Sequence, residues 1–265
     1  MRIGLFDSGL GGLKIAKSLF EALPEYDYIY LADAAHAPYG NKKPAELYDL
    51  VKAGVLWLFA HECELVILAC NTASAEALRR LQQELLPDYP RRRVLGVIVP
   101  TLEALATETA IETPQRVGLL ATAATVSSQA YTKELAKLYP QLQFEQWAAP
   151  ELASLIDQGV YHTAIAEALR EILKPIIQSG LDHLILGCTH YCWVKAEIRQ
   201  LLGPSVIVIS QDELIAPSLK RYLERHQELT SGLSRNRQRW LLTTGTLPEL
   251  EPIGSDGRWQ RVTLN

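Results

Sequence analysis

The sequence predicts an α/β protein made of two similar halves, each a parallel sheet covered by helices. Three observations carry this. Short apolar runs alternate with segments of helical spacing along most of the 265 residues, the signature of parallel strands joined by crossover helices. The pattern then restarts: Arg2-Ile3-Gly4-Leu5-Phe6-Asp7-Ser8 is echoed by Arg116-Val117-Gly118-Leu119-Leu120-Ala121-Thr122. Finally, two strand-like runs end alike, Leu65–Ala69 at Cys70-Asn71-Thr72 and His183–Gly187 at Cys188-Thr189-His190. Both echoes share an offset of about 115 residues, far longer than a solenoid repeat, so the halves should face each other.

In order, residues 2 to 6 form the first strand. Leu10, Leu13, Ala16, Leu19 and Phe20 then recur at helical spacing over residues 10 to 22. Tyr28 to Ala32 is a second strand, and Asp33 to Lys43 a polar loop. Pro44 to Glu62 reads as a helix, with Pro44 in the first turn where a missing N–H is harmless. Leu65 to Ala69 is the third strand, and Asn71 can cap a helix running to about Leu86. Val94 to Val99 is a fourth strand, stopped by Pro100. The second half opens with the strand Arg116 to Ala121 and a helix to about Leu138. Leu142 to Trp147 is a strand, Glu151 begins a short helix, and His162 to Ser179 a longer one. The strand His183 to Gly187, a helix over about Val194 to Leu202 and the strand Val206 to Ile209 follow. Glu213 to Glu228 is the last long helix. The tail from Ser231 is richer in Gly and Pro and can add a short strand at Trp240 to Thr243. Crossings near Val99 and Ile209 divide the chain into 1–98 plus 210–265 and 99–209.

Hydrophobic residues make up 48% and charged residues 21%, ordinary for a protein with a full core. A net charge of −4 disfavours a broad nucleic-acid surface, which needs cations to displace counterions. The basic stretch Ser234-Arg235-Asn236-Arg237-Gln238-Arg239 reads as a solvated loop. A mean hydropathy of +0.01 and strand-sized apolar runs predict no membrane span. The chain enters Arg2-Ile3-Gly4 directly, without the pattern of a secretory signal. Its four cysteines, Cys63, Cys70, Cys188 and Cys192, are therefore expected as reduced thiols in a cytoplasmic protein.

Cys70 and Cys188 each sit at a strand tip before a helix, where open α/β sheets place ligands and where unpaired N–H groups favour an anion. One thiol from each half suits chemistry with a base on one side of a substrate and an acid on the other. Cys63, at a helix end, reads as structural, and Cys192 has no counterpart. Asp7-Ser8-Gly9-Leu10-Gly11-Gly12 also joins a strand to a helix, but is neither a dinucleotide fingerprint nor a P-loop. Asp7 would repel phosphate; it suits an ammonium group or proton handling, or simply caps the helix. Cys188-Thr189-His190-Tyr191-Cys192 lacks the spacing of common zinc sites, so no metal is expected, and His190 is better placed to tune Cys188. Glu151, after Pro150, is a candidate acid–base residue or a plain first-turn carboxylate. The loop Ala37-Pro38-Tyr39-Gly40 can cover a site.

These motifs resemble the aspartate/glutamate racemase superfamily, and within it glutamate racemases. The matching text is Phe6-Asp7-Ser8-Gly9-Leu10-Gly11-Gly12, Pro38-Tyr39-Gly40-Asn41, Ala69-Cys70-Asn71-Thr72, Gly118-Leu119-Leu120-Ala121-Thr122, Pro150-Glu151-Leu152, Leu186-Gly187-Cys188-Thr189-His190-Tyr191 and Thr243-Thr244-Gly245. It spans almost the whole chain. The resemblance implies two α/β domains related by pseudo-two-fold symmetry with the active site in the cleft between them, often as a homodimer. It implies a cofactor-independent enzyme interconverting L- and D-glutamate, the latter feeding bacterial peptidoglycan. Carried over by motif, Cys70 and Cys188 are the paired acid and base. Asp7 would assist Cys70, while His190 and Glu151 would assist Cys188. Asp7, Ser8, Tyr39, Gly40, Asn71, Thr72, Thr189 and His190 would hold the amino acid. Cys192-Trp193 stands where the family usually has Pro-Leu, and Ser210-Gln211 replaces a commoner Asp-containing turn.

Racemisation takes the α-proton from one face and returns one to the other, so two groups of similar type are needed. Without a cofactor, fixed N–H and hydroxyl dipoles in a dry cleft must stabilise the growing charge. Aspartate or a hydantoin could replace glutamate on the same fold. Two further classes fit parts of the pattern: a one-cysteine hydrolase or lyase using Cys188 and His190, and a non-catalytic protein that binds an amino acid.

Overall fold

The computed structural model describes residues 1–108, 116–158, 162–246 and 259–264. The first half runs β1 (Arg2–Asp7), α1 (Leu13–Ala22), β2 (Tyr28–Ala32), α2 (Pro44–Ala60), β3 (Cys63–Leu68), α3 (Asn71–Glu76), α4 (Leu78–Glu84), β4 (Arg93–Gly96) and α5 (Ile98–Glu108). The second half runs β5 (Arg116–Ala121), α6 (Ala123–Ser128), α7 (Ala130–Leu138), β6 (Gln143–Ala148), α8 (Leu152–Asp157), α9 (His162–Ser179), β7 (His183–Gly187), α10 (Lys195–Leu202) and β8 (Ile207–Ile209). α11 (Gln211–Arg225), α12 (Gln227–Thr230), β9 (Arg239–Thr243) and β10 (Trp259–Arg261) complete the described α-helices and strands.

The strands form two sheets, in the orders β10-β9-β2-β1-β3-β4 and β6-β5-β7-β8. Every pairing is parallel. The order β2-β1-β3-β4 of the first sheet is repeated as β6-β5-β7-β8 in the second, so the sequence echo is a duplicated topology. In each sheet the chain winds one way from the first strand of the unit, then returns to its other side. That reversal is the switch point beyond whose strand C-termini α/β proteins bind ligands. Asp7 and Cys70 lie at the first switch point, Thr122 and Cys188 at the second.

Both faces of each sheet are covered, which is why the inner strands are apolar throughout rather than alternating. α1 and α11 close over Ile3, Leu5, Tyr28 and Tyr30, with Leu19, Leu219 and Leu223 buried between them. α2, α3 and α4 cover the opposite face through Phe6, Val51, Leu58, Val66, Leu68 and Leu81. On the second sheet, α8, α9 and α10 bury Leu152, Leu169, Leu184, Leu186 and Ile198. α5 and α7 bury Leu102, Leu105, Leu119, Tyr131 and Ile185. β6, at the edge, has only half-buried and exposed residues. Among the described residues no helix is long and apolar enough to cross a membrane.

Local chemistry explains where the elements differ from expectation. The expected strand at Val94 to Val99 ends at Gly96, and Ile98 already opens α5. Pro100 lies in the first turn of α5, where the missing N–H has no intrahelical partner to lose, so it does not mark a break. Asn71 is the first helical residue and Cys70 is the cap, its Sγ accepting from Ala73 N at 3.5 Å. The long helices expected after Cys70 and after Thr122 are each two short ones, divided at Ala77 and at Gln129, whose φ is 56°. Cys63 is the first residue of β3, not the end of a helix. β10 is an addition to the expected strands; it extends the first sheet beyond β9.

Candidate active site

Cys70 and Cys188 line one cleft between the two sheets, together with Ser8, Gly9, Tyr39, Gly40, Thr72, Thr122, Ser154, Asp157 and His190. Its volume is about 30 Å³, room for roughly two waters. At that volume the two lobes are closed upon each other.

On the first side, Cys70 Sγ donates to Ser8 Oγ at 3.4 Å. Burial, reinforced by the nearby Asp7 carboxylate, pushes its thiol up to about 12. Asp7 is fully buried. Its Oδ2 accepts from the Gly12 and Gly9 amides at 3.0 and 3.2 Å and from the Tyr30 hydroxyl at 3.4 Å. Thr189 Oγ1 of the opposite lobe donates to Asp7 Oδ1 at 3.4 Å. Burial raises the Asp7 carboxyl above its ordinary range, against the opposing pull of the His190 charge and the two amides. The glycine-rich turn thus holds a carboxylate at the strand tip instead of a phosphate.

On the second side, His190 Nδ1 lies 3.8 Å from Cys188 Sγ, and His190 Nε2 lies 2.9 Å from Asp157 Oδ1. Burial alone would lower the imidazole. The hydrogen bonds to Asp157 and Cys188 outweigh it and hold His190 well above its usual value. The two sulfurs are therefore not equivalent at rest: Cys70 stays a thiol, while Cys188 faces a protonated imidazole.

Each expected site residue has a definite place. Asp7, Ser8, Cys70, Thr72, Cys188, Thr189 and His190 converge on the cleft or its wall. Tyr39 is buried over it, its hydroxyl donating to Asp33 Oδ2 at 2.6 Å. Gly40 is held so close that a Cβ there would stand 3.0 Å from Thr122 Cβ. Thr72 Oγ1 meets Thr122 Oγ1 at 3.0 Å across the lobes. Asn71 borders the cleft, but its side-chain amide pairs with Gln211. Glu151 is exposed and does not line the cleft; the carboxylate that reaches His190 is Asp157, at the far end of the helix that Glu151 precedes. Sequence reasoning also missed Thr122 as a site residue, although the echo pairing Asp7-Ser8 with Ala121-Thr122 pointed to it. Cys192 lies outside the cleft lining, where Ser210 Oγ donates to its sulfur at 3.3 Å.

A family model described as Asp/Glu/Hydantoin racemase matches residues 13–212, the span that holds both cysteine tips. The chain belongs to the Asp/Glu/hydantoin racemase family. The glutamate racemase of Phenylobacterium zucineum is 41% identical over 263 residues, covering 92% of each chain. The crystal structure of a glutamate racemase isoform from Bacillus anthracis superposes with a TM-score of 0.83 at 32% identity, covering 93% of this chain and 89% of that one. The glutamate racemase of Francisella tularensis, solved in complex with D-glutamate, superposes with a TM-score of 0.84 at 27% identity, covering 100% and 98%. Racemases of this family thus share with the chain its two all-parallel α/β lobes, and the chain is an isomerase.

Proposed function

We propose that this protein interconverts L- and D-glutamate by proton transfer between Cys70 and Cys188 at the substrate α-carbon. The observation that carries the reading is the shared cleft: two sulfurs, delivered by equivalent strand tips of two sheets with the same strand order, line one enclosed space. The relatives named above supply the choice of glutamate, and one of them holds D-glutamate.

In one direction the Cys188 thiolate takes the α-proton, and the Cys70 thiol gives its proton to the opposite face. The enzyme is left with the Cys70 thiolate and the Cys188 thiol, the form that runs the reverse reaction. Asp157 holds His190, and His190 serves the Cys188 sulfur. Asp7, fixed by Gly9, Gly12 and Tyr30, is the counterpart for proton handling beside Cys70. Negative charge developing on the substrate carboxylate meets the first amides of α3, which have no intrahelical acceptor, and the hydroxyls of Ser8, Thr72, Thr122 and Thr189. Because the cleft is nearly dry when closed, these dipoles act at low dielectric. No cofactor is needed in this scheme.

The same reading takes residues 1–98 plus 210–265 as one domain and 99–209 as the other, supported by which strands join which sheet. It includes a homodimer, a cytoplasmic setting consistent with four free thiols, and a product that enters peptidoglycan. Incubation with L-glutamate and no added cofactor, followed by chiral chromatography, tests the activity; recovery of L-glutamate alone would end the proposal. One observation favours a second reading: Cys188, His190 and Asp157 also have the order of a thiol-hydrolase triad. That reading requires a covalent intermediate and tolerates Cys70→Ala.

A further inference from the structure

The chain returns from the second lobe to the first at Ser210-Gln211, one of the points where its sequence departs from the family pattern. Gln211 is fully buried, and its amide forms a two-way pair with Asn71. Asn71 Nδ2 donates to Gln211 Oε1 at 2.7 Å, and Gln211 Nε2 donates to Asn71 Oδ1 at 2.8 Å. The Tyr131 hydroxyl donates to the same Asn71 Oδ1 at 2.7 Å. Gln211 Nε2 also lies 3.1 Å from the Tyr131 hydroxyl and 3.2 Å from Thr101 Oγ1. All four side chains are buried.

They come from four separate places. Asn71 immediately follows Cys70. Thr101 is on α5, where the chain leaves the first lobe. Tyr131 is on α7 of the second lobe, and Gln211 is the first residue of α11, where the chain comes back. Neither lobe completes the cluster alone. A buried and fully paired polar network admits few geometries, because any shift strands a donor or acceptor away from water.

We propose that Gln211, with Tyr131, is a positioning residue for the reaction: the clasp on Asn71 sets where Cys70 stands relative to the opposite lobe when the cleft closes. The proposal rests on the racemisation reading above. Gln211 touches neither sulfur; it acts through Asn71 and the start of α3.

The test compares the full chain with Gln211→Leu and Tyr131→Phe, using α-deuterated L- and D-glutamate in ordinary water, with folding followed by circular dichroism. Gln211→Leu is expected to lower kcat about tenfold, the factor given by about 1.4 kcal/mol in a barrier. The deuterium isotope effect on kcat/KM should rise in the direction in which Cys70 removes the deuteron. It should fall in the other direction, where the slowed Cys70 step comes after deuteron removal. Tyr131→Phe, which deletes one hydroxyl, should move both effects the same way by a smaller factor, and it carries the test if Gln211→Leu does not fold. General loosening of the fold would not drive the two directions apart. Isotope effects that stay at wild-type values or move in parallel overturn the proposal while leaving racemisation intact. A wild-type chain that turns over neither enantiomer removes the underlying reading, and this proposal with it.

Discussion

Replacing Gly11 by alanine probes how tightly the two lobes meet behind the reacting groups. A Cβ at Gly11 would stand 2.6 Å from both His190 Nδ1 and Thr189 Oγ1, and 2.8 Å from His190 Cε1. Comfortable contact for such atoms begins near ~3.5 Å, so something must give by roughly 1 Å. The atoms met belong to the opposite lobe and to the imidazole that faces Cys188, so the displacement falls on the geometry of the proposed reaction. Overpacking of this kind costs about 1–3 kcal/mol of stability. At about 2–4 °C per kcal/mol for a chain of this size, melting should fall by roughly 2–12 °C. A misplacement of ~1 Å in a site costs on the order of 100-fold in rate, so activity should suffer far more than the fold. Polarimetry of L-glutamate turnover and a thermal melt read the two losses. Gly9→Ala is the control for stability, since its Cβ would meet only Asp157 Oδ2, at 4.0 Å; its melting point should stay within about 2 °C of the wild type. A Gly11→Ala protein with unaltered melting and turnover would refute the close approach of the glycine turn to His190.

Cys70→Ser and Cys188→Ser should each abolish racemisation with a wild-type melting curve. In D₂O each should retain α-hydrogen exchange for at most one enantiomer, and full activity in either would rule out the two-thiol scheme. Asp157→Asn removes the carboxylate charge that, through its hydrogen bond and its field, raises His190, so the imidazole should titrate at lower pH by NMR, and the alkaline limb of the rate profile should move down with it. The folded value of His190 lies above its unfolded one. The stabilisation from its protonated form is therefore complete below about pH 6.5 and is lost as pH rises through the folded value; melting recorded across that window checks the sign. Asp33 accepts from Tyr39, from Thr244 at 2.7 Å and from His36 at 2.8 Å, pinning the loop that roofs the cleft. Asp33→Asn should strand at least one of these donors, at about 1–3 kcal/mol, and raise KM more than it lowers kcat.

How much of this was legible in the chain follows from the range of the forces involved. The α/β alternation, the parallel sheets and the two cysteine tips are local patterns, written in apolar periodicity within a few residues. The repeat even encoded the shared strand order, and through it the common position of Cys70 and Cys188. Asp157 was less visible than Glu151, because Glu151 sits beside a motif while Asp157 is a helical residue whose meaning depends on His190, 33 residues further on in the turn after β7. Pro100 misled because a proline reads as a stop until one knows that it lies in a first turn. Gln211, Tyr131 and Asn71 are far apart in sequence, and only closure of the lobes excludes the water that would otherwise satisfy each of them. By itself, then, the sequence determined which elements form and which side chains stand at their ends. The tertiary structure decided which carboxylate meets His190, which amide holds Asn71 and how the two sulfurs come to differ, because hydrogen-bond partners and desolvation are properties of the packed pair and not of either residue.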